Sequence, residues 1–320
     1  MYKNLNSVAL GVSGRQSELI ELALTYGFRG MDIDIRDLVK RAEGRGVDHA
    51  TRFLLSARDN DRLRVGGCDL PVDWEGEEST YKADLAQLPK VVELAASVGA
   101  KACLTTVMPG SDSQPYHENF EFHRQRLGEI ADVLSGFEMR LGIGFESAPV
   151  HRANKQYEFI HQAEPLLTLM KTIGVTNVGI VLDTWHWHVG GGASDQLSEL
   201  SPDQIISVRI ADLPGDADLT LVDEKQRVAP EAGGLVDCAG TLKLLAQIGF
   251  EGPVALVPDA ASFRSRTRDK IVQRAANVLD ELWIAAGLVK TASAASEEDG
   301  EAIATEAPAA EAPAAEATSA

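Results

Sequence analysis

The chain has 320 residues, of which 44% are hydrophobic and 24% charged, a composition typical of a globular protein with a sizeable core. Its formal net charge of −18 argues against a nucleic-acid partner, because binding to a phosphate backbone depends on clustered lysine and arginine. No apolar run approaches the ~20 residues of a membrane span and the N-terminus lacks the pattern of an export signal, so we expect a cytoplasmic protein without a membrane partner.

Short β-branched runs alternate with longer segments of helical periodicity over the first 290 residues. This alternation predicts parallel strands that are joined by crossover helices. The predicted strands are residues 7–12, 30–35, 63–68, 101–106, 140–145, 178–182, 205–210 and 254–257.

Helical periodicity is clearest in segments 18–26, 84–98, 120–134, 158–173 and 240–248. Four of these helices are expected to end at Gly27, Gly99, Gly174 and Gly249, where glycine allows the left-handed cap that ends a helix. Eight units with short strands favour a closed (β/α)8 TIM barrel over an open doubly wound sheet. No dinucleotide-binding or P-loop motif supports the open sheet.

Residues 291–320 consist mainly of alanine, glutamate, proline, serine and threonine, and contain no lysine or arginine. Such a segment cannot bury enough apolar surface to offset the loss of chain entropy. We therefore predict a single domain over residues 1–290 and a disordered acidic tail after it. Cys68, Cys103 and Cys238 lie far apart in apolar stretches and are expected to be reduced core thiols.

Charged residues follow or end the later predicted strands. Glu146 follows the fifth strand, Asp183 follows the sixth, and Arg209 lies in the seventh. In a TIM barrel the carboxyl ends of all strands meet at one face, where the reactive groups cluster. A carboxylate buried there requires a cation, a proton or several hydrogen-bond donors. Glu146 and Asp183 are therefore interpreted as functional residues, with structural pairing to a neighbouring arginine as the alternative.

Three segments carry a family resemblance that covers nearly all of residues 1–290. Residues 116–146, 177–187 and 248–254 resemble xylose-isomerase-like sugar isomerases and epimerases, and the most distinctive part is Leu-Asp-Thr-Trp-His-Trp at residues 182–187. The resemblance implies a TIM barrel that holds a divalent metal (Mn, Mg, Zn or Co) by Glu, Asp, His and Glu side chains from four consecutive strand ends. It also implies that both glutamates move protons on the carbon beside a sugar carbonyl, which the metal polarises.

Two of the four implied metal ligands are absent. Glu146 and Asp183 match the first two positions, whereas Arg209 stands in place of the histidine and Val257 in place of the final glutamate, with Asp259 as an alternative carboxylate. A guanidinium offers only donors and valine has no ligand atom, so neither can bind a cation. We expect either no metal or a weakly bound one, and hypothesise that the Arg209 guanidinium takes the ion's place and neutralises Glu146 and Asp183.

Further residues near the late strands are candidates for substrate binding. The resemblance assigns a substrate contact to His186 and places Arg227 at a family arginine in the loop before the eighth strand. A relocated metal site of Asp183, His186 and His188 is an alternative use of these ligand types. One of the two indoles that flank His186 is expected to face the pocket, with core packing as the alternative. The predicted substrate-binding residues are Trp185, Trp187, His188, Asp212 and Arg227, and the predicted catalytic residues are Glu146, Asp183, His186 and Arg209.

We expect a sugar isomerase or epimerase-like protein with a pocket for a small polyhydroxylated substrate and a degraded metal site. Glu146 would act as acid and base, Asp183 and Arg209 would arrange charge, and His186 would position a hydroxyl. A non-catalytic protein that binds a sugar or a sugar acid is the alternative, and both a monomer and a homo-oligomer remain open. A zinc-dependent nuclease is not supported, because the chain lacks the basic track and the additional ligands that such an enzyme requires.

Overall fold

Eight parallel strands close into a barrel in the computed structural model of the protein, which describes residues 1–263 and 266–289. The predicted tail at residues 291–320 lies outside the described residues. The first strand pairs with both the second and the last, so the barrel sheet has no free edge. The (β/α)8 prediction is confirmed. The barrel strands are β1 (Tyr2–Leu5), β2 (Gly30–Ile33), β3 (Arg64–Asp69), β4 (Ala102–Val107), β6 (Arg140–Phe145), β8 (Val178–Asp183), β9 (Ile205–Ile210) and β10 (Pro253–Leu256), and β5 (Gly110–Ser111) pairs with β7 (Tyr157–Glu158) in a separate antiparallel ribbon.

Helices connect the strands, and the apolar faces of the two layers form the main core. One predicted helix starts later than expected, at Ala163, because Tyr157–Glu158 belongs to the ribbon. The same helix ends at Gly174, whose φ of 77° is the left-handed cap that the sequence predicted. Within the described ranges, none of the helices combines the length and apolar character of a membrane-crossing segment. The helices are α1 (Gln16–Thr25), α2 (Ile35–Arg45), α3 (Val47–Asp59), α4 (Glu78–Ser97), α5 (Tyr116–Ser135), α6 (Ala163–Ile173), α7 (Thr184–Val189), α8 (Ser194–Ser198), α9 (Cys238–Gln247) and α10 (Arg268–Ala285).

The prediction of the first strand at residues 7–12 is wrong. The chain forms turns there, and the Asn6 side chain stabilises them by accepting a hydrogen bond of 2.9 Å from the backbone N–H of Ala9. Leu10 and Val12, the apolar residues that suggested a strand, are buried within these turns and in the following segment. The observed strand β1 lies earlier in the chain and carries the buried polar residue Asn4, which obscures its apolar pattern.

The barrel interior contains an apolar cluster from β4, β8 and β9 and a polar contact between β1 and β2. A Cβ at Gly142 would lie 2.7 Å from Leu104 Cδ2, so the absence of a side chain at this position allows the apolar cluster to close. In the polar contact, Asn4 Nδ2 donates a hydrogen bond of 2.8 Å to Asp32 Oδ1. The apolar cluster consists of Ala102, Leu104, Val181 and Ile206.

The three cysteines are free and buried, as the sequence predicted. Cys68 and Cys103 are ladder partners on β3 and β4, with their Sγ atoms 3.7 Å apart. Cys238 begins α9.

Replacing Ile206 with alanine is expected to lower the free energy of unfolding by about 2–5 kcal/mol, because the cavity left inside the barrel cannot be refilled by the surrounding strands. Leu221→Ala is the control, since Leu221 is 79% exposed, and its truncation is expected to cost less than about 0.5 kcal/mol. Urea denaturation of both variants measures the difference. Equal losses would contradict the packing described for the barrel interior.

Candidate active site

Strand ends bring charged side chains together at one rim of the barrel. Glu146 directly follows β6, Asp183 is the last residue of β8, and Arg209 is the ladder partner of Asp183 in β9. Glu224 and Arg227 reach the same rim from the connection between β9 and α9. The rim cavity has a volume of about 330 Å³ and is also lined by Asn6, Val8, Ala9, Asp69, His186, Val257 and Pro258.

A second cavity of about 610 Å³ continues from the rim cavity over the early strands, and the two share Asn6, Val8 and Asp69. Asp32 and Asp34 both line this second cavity. Burial raises the pKa of Asp32 to about 6, against the opposing effect of the hydrogen bond from Asn4. The combined space is in the range of natural small-molecule sites.

Asp183 is held by three hydrogen bonds. Its Oδ1 atom accepts from the backbone N–H groups of Trp185 at 3.1 Å and His186 at 3.2 Å, so the side chain caps α7. Its Oδ2 atom accepts from Nη2 of Arg227 at 2.6 Å. Burial disfavours the charged form, but the neighbouring Arg227 guanidinium holds the pKa of Asp183 below its usual range. Asp183 is therefore an ionised carboxylate whose oxygens already have partners.

Arg227, and not Arg209, supplies the guanidinium that pairs with Asp183. Arg227 also donates from Nε to the carbonyl oxygen of Val257 at 3.2 Å. Arg209 lines the rim cavity, but no carboxylate oxygen among the described residues lies within 4.0 Å of its guanidinium. The hypothesis that Arg209 contacts both Glu146 and Asp183 is therefore wrong. The charge of Arg209 favours the ionised forms of Asp183 and Asp32 from a distance.

Glu146 and His186 face each other, with Oε2 and Nε2 3.3 Å apart. The Oε2 atom of Glu146 is buried and has no hydrogen-bond partner in the part of the chain that the structure describes. Burial, followed by the nearby carboxyl of Glu224, raises the pKa of Glu146 to about 8. Burial lowers the pKa of His186 to about 4, so a protonated carboxyl faces a neutral imidazole near neutral pH.

Sequence reasoning missed Glu224 and His151. His151 Nε2 lies 2.7 Å from Glu224 Oε1, and ligand atoms of Glu146, His186 and Glu224 all lie within 4.8 Å of one another. Burial opposes the ionisation of Glu224, but hydrogen bonds with the Glu146 carboxyl and His151 hold its pKa below the usual range. Both residues belong to connections between elements, whose conformation hydrophobic periodicity does not predict. The one available signal was the position of Glu224 shortly before Arg227 in the same connection.

Glu146, His186 and Glu224 are residue types that bind zinc or manganese, but the position of the ring proton on His186 argues against a bound ion. His186 Nδ1 lies 3.2 Å from the backbone N–H of Ser147, which can only donate. Ser147 Oγ lies 3.1 Å from the same Nδ1 atom and can also donate to it, so these two contacts favour the ring proton on Nε2, the atom that faces Glu146. A histidine that binds a metal normally donates its second ring N–H to an acceptor, which is the opposite arrangement.

The implied ligand positions at Asp183 and Val257 are closed to an ion as well. Asp183 is bound by Arg227 and two backbone amides, and Val257 has no ligand atom. The residues do not form the four-ligand cage that the family resemblance implies. Glu146, His186 and Glu224 remain the potential ligands at this rim within the described residues.

The alternative metal site of Asp183, His186 and His188 is not formed. Within residues 1–263 and 266–289, the grouping of potential ligands at the rim is Glu146, His186 and Glu224. His188 does not line the rim cavity. Because α7 begins directly after Asp183, His188 is carried away from the barrel mouth by a helical turn.

The two indoles are core residues, so the expectation that one of them faces the pocket is wrong. Trp185 is 0% exposed and lies beneath Arg227, with the guanidinium carbon 5.3 Å from the ring centroid. Trp187 is 6% exposed and packs in the main core. Neither ring lines the rim cavity, because the helical path of α7 directs both of them inward.

Asp212 and Asp259 stabilise backbone turns and do not line the rim cavity. Asp212 Oδ1 accepts hydrogen bonds from the backbone N–H groups of Leu213 at 2.7 Å and Val236 at 2.8 Å. Asp259 Oδ1 accepts from the backbone N–H of Ala261 at 3.0 Å. Asp212 Oδ1 therefore satisfies backbone amides, while the residue lines a separate cavity of about 380 Å³, and its role in substrate binding stays a prediction.

Comparison with known proteins agrees with this fold. The profile of a family described as xylose isomerase-like TIM barrel matches residues 20–282. An inosose isomerase of Bacillus velezensis is 20% identical over 199 residues, which make up 62% of this chain and 68% of that protein. Two further Bacillus inosose isomerases are matched over only 50% and 44% of their own length.

Two solved structures have the same architecture. A xylose isomerase domain protein of Alicyclobacillus acidocaldarius superposes with a TM-score of 0.79 at 23% identity, over 89% of this chain and 99% of that one. The IOLI protein, solved with a binding zinc atom, superposes with a TM-score of 0.74 at 18% identity, over 88% of this chain and 98% of that one. At these identities the similarity establishes the fold.

Arg227→Met is expected to lower the free energy of unfolding by about 3–5 kcal/mol, because it leaves the buried Asp183 carboxylate without a counter-charge. The side chains of the two partners are only 11% and 10% exposed, so solvent cannot replace the lost interaction. Arg209→Met is the matched control, and we expect it to cost less than about 1 kcal/mol because no carboxylate pairs with Arg209. Urea denaturation measures the free energy of unfolding of both variants. Similar losses in the two variants would mean that the two arginines share the neutralisation of Asp183.

Asp32→Asn is expected to become progressively more stabilising, relative to wild type, between pH 3.8 and about 6. The folded protein favours protonated Asp32, so wild type loses stability as the pH rises through this interval, while the asparagine variant does not. The relative gain should reach roughly 3 kcal/mol at neutral pH, because one pKa unit corresponds to about 1.4 kcal/mol. Unfolding free energies of both proteins at pH 4, 5, 6 and 7 provide the measurement. A difference that stays constant with pH would contradict the assignment.

Proposed function

Because the chain belongs to the xylose isomerase-like TIM barrel family, we propose that it is an isomerase or epimerase that moves a proton in a small polyhydroxylated carbonyl compound. The proposal rests on the Glu146 carboxyl. This carboxyl lines the rim cavity, has a buried oxygen without a hydrogen-bond partner among the described residues, and lies against His186 and Glu224. A carboxyl in this setting suits a general acid and base better than a structural anchor.

Arg209 and Arg227 provide positive charge near the substrate oxygens in this proposal. Arg209 lines the rim cavity and has no carboxylate within 4.0 Å in the described part of the chain, so its N–H groups are available to a carbonyl or hydroxyl oxygen. Guanidinium donors that face a developing oxyanion stabilise it without a metal. A divalent ion would supply the same polarisation in other family members, but no step here depends on one.

His186 positions either the Glu146 carboxyl or a substrate hydroxyl. The hydrogen bond that its Nδ1 atom accepts from Ser147 leaves an N–H on Nε2, which lies 3.3 Å from Glu146 Oε2 without a hydrogen bond between them and is available to a substrate hydroxyl. The ring therefore acts as a neutral donor with a fixed orientation. The matched relatives are named inosose isomerases, and these names support a small polyhydroxylated carbonyl compound as the substrate.

A non-catalytic protein that binds a sugar or a sugar acid is the second candidate. It is favoured by Val257, which stands where the resemblance implies the second proton-transferring glutamate and which lines the rim cavity. In that case the cavity binds a polyhydroxylated ligand without exchanging its carbon-bound protons.

Wild-type protein is expected to incorporate solvent deuterium next to the carbonyl of at least one member of a panel of ketohexoses, aldohexoses and inososes in D₂O, followed by proton NMR. Glu146→Gln should reduce this exchange at least about 100-fold, because the variant removes the acid and base group. Glu121→Gln is the control, since its carboxylate is 64% exposed on α5 and remote from the rim, and it should retain the exchange rate. Ligand binding without any exchange would favour the non-catalytic candidate.

Dialysis of the wild-type protein against EDTA is expected to leave its exchange rate within about twofold, because guanidinium groups supply the charge that polarises the carbonyl. Metal analysis of the dialysed protein accompanies the rate measurement. A tightly bound divalent ion at one per chain, whose removal abolishes exchange, would contradict the metal-independent site.

A further inference from the structure

Proton transfer next to a carbonyl requires a second group besides Glu146. Enolisation removes a proton from carbon and adds one to oxygen, so a base and an acid must both be present. Val257, at the position where the resemblance implies that group, can be neither. Asp259 is engaged in a backbone turn and does not line the rim cavity. The second group therefore has to come from an element other than β10.

Glu224 lies where such a group is needed. It begins the short 3-10 helix Glu224–Gln226, which Asp223 stabilises by accepting a hydrogen bond of 2.8 Å from the backbone N–H of Lys225. The Glu224 carboxylate lines the rim cavity and lies within 4.8 Å of ligand atoms of Glu146 and His186. Its side chain is 38% exposed, so a molecule that enters the cavity can reach it.

His151 fixes the orientation of the Glu224 carboxylate. It ends the 3-10 helix Pro149–His151, which follows Glu146 in the loop after β6. Its Nε2 atom and Glu224 Oε1 are 2.7 Å apart, so a hydrogen bond joins the loop after β6 to the connection after β9. A carboxylate accepts at about four lone-pair positions, so the bonds with His151 and the Glu146 carboxyl still leave one for a proton of the substrate.

Adjacent carboxyls restrict the stereochemistry of the reaction. The ligand atoms of Glu146 and Glu224 lie within 4.8 Å of one another, which leaves too little room for a carbon skeleton between them, so the proposal places both carboxyls on one side of a bound molecule. Inversion at one carbon requires proton removal from one face and delivery to the opposite face. With Glu146 acting on the oxygens, Glu224 alone can move a proton between neighbouring carbons along one face of a cis-enediol.

We propose, on the basis of the function proposed above, that Glu224 is the second catalytic residue, that His151 positions it, and that the reaction exchanges a carbonyl with a neighbouring hydroxyl without inverting a single carbon. The Glu224 carboxylate takes the proton from the hydroxyl-bearing carbon, the released electron pair forms a C=C bond, and the carbonyl oxygen takes the proton of the Glu146 carboxylic acid. Glu146 then removes the proton from the other enediol hydroxyl, which becomes the new carbonyl. Glu224 returns its proton to the former carbonyl carbon. Both residues regain their starting states, so no oxidant, reductant or other reactant is required.

Glu224→Gln is expected to slow deuterium exchange and isomerisation at least about 100-fold in the same NMR assay, because it removes the base that acts on carbon. Glu224→Asp keeps a carboxylate and should recover part of the rate. Glu231→Gln is the matched control, since Glu231 lies in the same connection and its side chain is 71% exposed. Thermal melting of all variants confirms that they are folded.

His151→Gln separates positioning from folding or substrate binding. It is expected to lower kcat about tenfold while KM stays within about twofold, because it misorients Glu224 without removing a substrate contact. An unchanged kcat would overturn the positioning role of His151.

The outcomes distinguish this inference from the function on which it rests. If Glu146→Gln abolishes exchange while Glu224→Gln keeps a rate within about threefold of wild type, Glu224 is not the second group and the proposed function stands. If the wild type inverts one carbon and does not transpose the carbonyl, the one-sided reaction is overturned while an epimerase remains. If no member of the panel is isomerised or exchanges a proton, the proposed function and this inference both fail.

Discussion

The ion pair between Asp183 and Arg227 determines how the mouth of the barrel is built. Asp183 ends a barrel strand and caps α7, while Arg227 belongs to the connection after β9 and also binds the carbonyl of Val257. The pair thereby fixes that connection against two strands and places Glu224, which lies in the same connection, beside Glu146. Because both charged side chains are almost fully buried, the removal of either one leaves the other unpaired in a medium of low dielectric constant.

A guanidinium and a divalent ion neutralise carboxylates in different ways, and the difference extends to His186. An ion accepts lone pairs, so an imidazole beside it must present an unprotonated nitrogen. A guanidinium offers only hydrogen-bond donors to the carboxylates, so a site that is neutralised by arginine does not require a free lone pair on His186. The backbone N–H of Ser147 accordingly faces Nδ1, and the ring proton lies on the side of Glu146. Arg209 and Val257, which stand where the resemblance implies a histidine and a glutamate, and the orientation of His186 are all compatible with a site that is neutralised by guanidinium groups.

The sequence predicted the parts of the molecule that depend on regular periodicity. Strand ends of a parallel barrel converge by geometry, so Glu146, Asp183 and Arg209 could be placed at one rim from their positions alone. The first strand was misplaced because the polar Asn4 inside the barrel interrupts its apolar pattern, while the turn after Asn6 is rich in buried apolar residues. Asp183 pairs with Arg227 and not with Arg209 because of the path of the long connection between β9 and α9. The spacing of residues in the sequence does not predict that path.

The division of the site between strands and connections bears on how its chemistry can change. Glu146 and Asp183 are fixed by strands whose spacing and register the closed barrel sets, so their separation can vary little. Glu224 and His151 lie on short 3-10 helices in loops, where substitutions and insertions are tolerated. If the second proton-transfer group comes from a loop, the face from which it approaches the substrate is set by loop conformation. A barrel of this kind can therefore acquire a different stereochemical outcome without any alteration of its core.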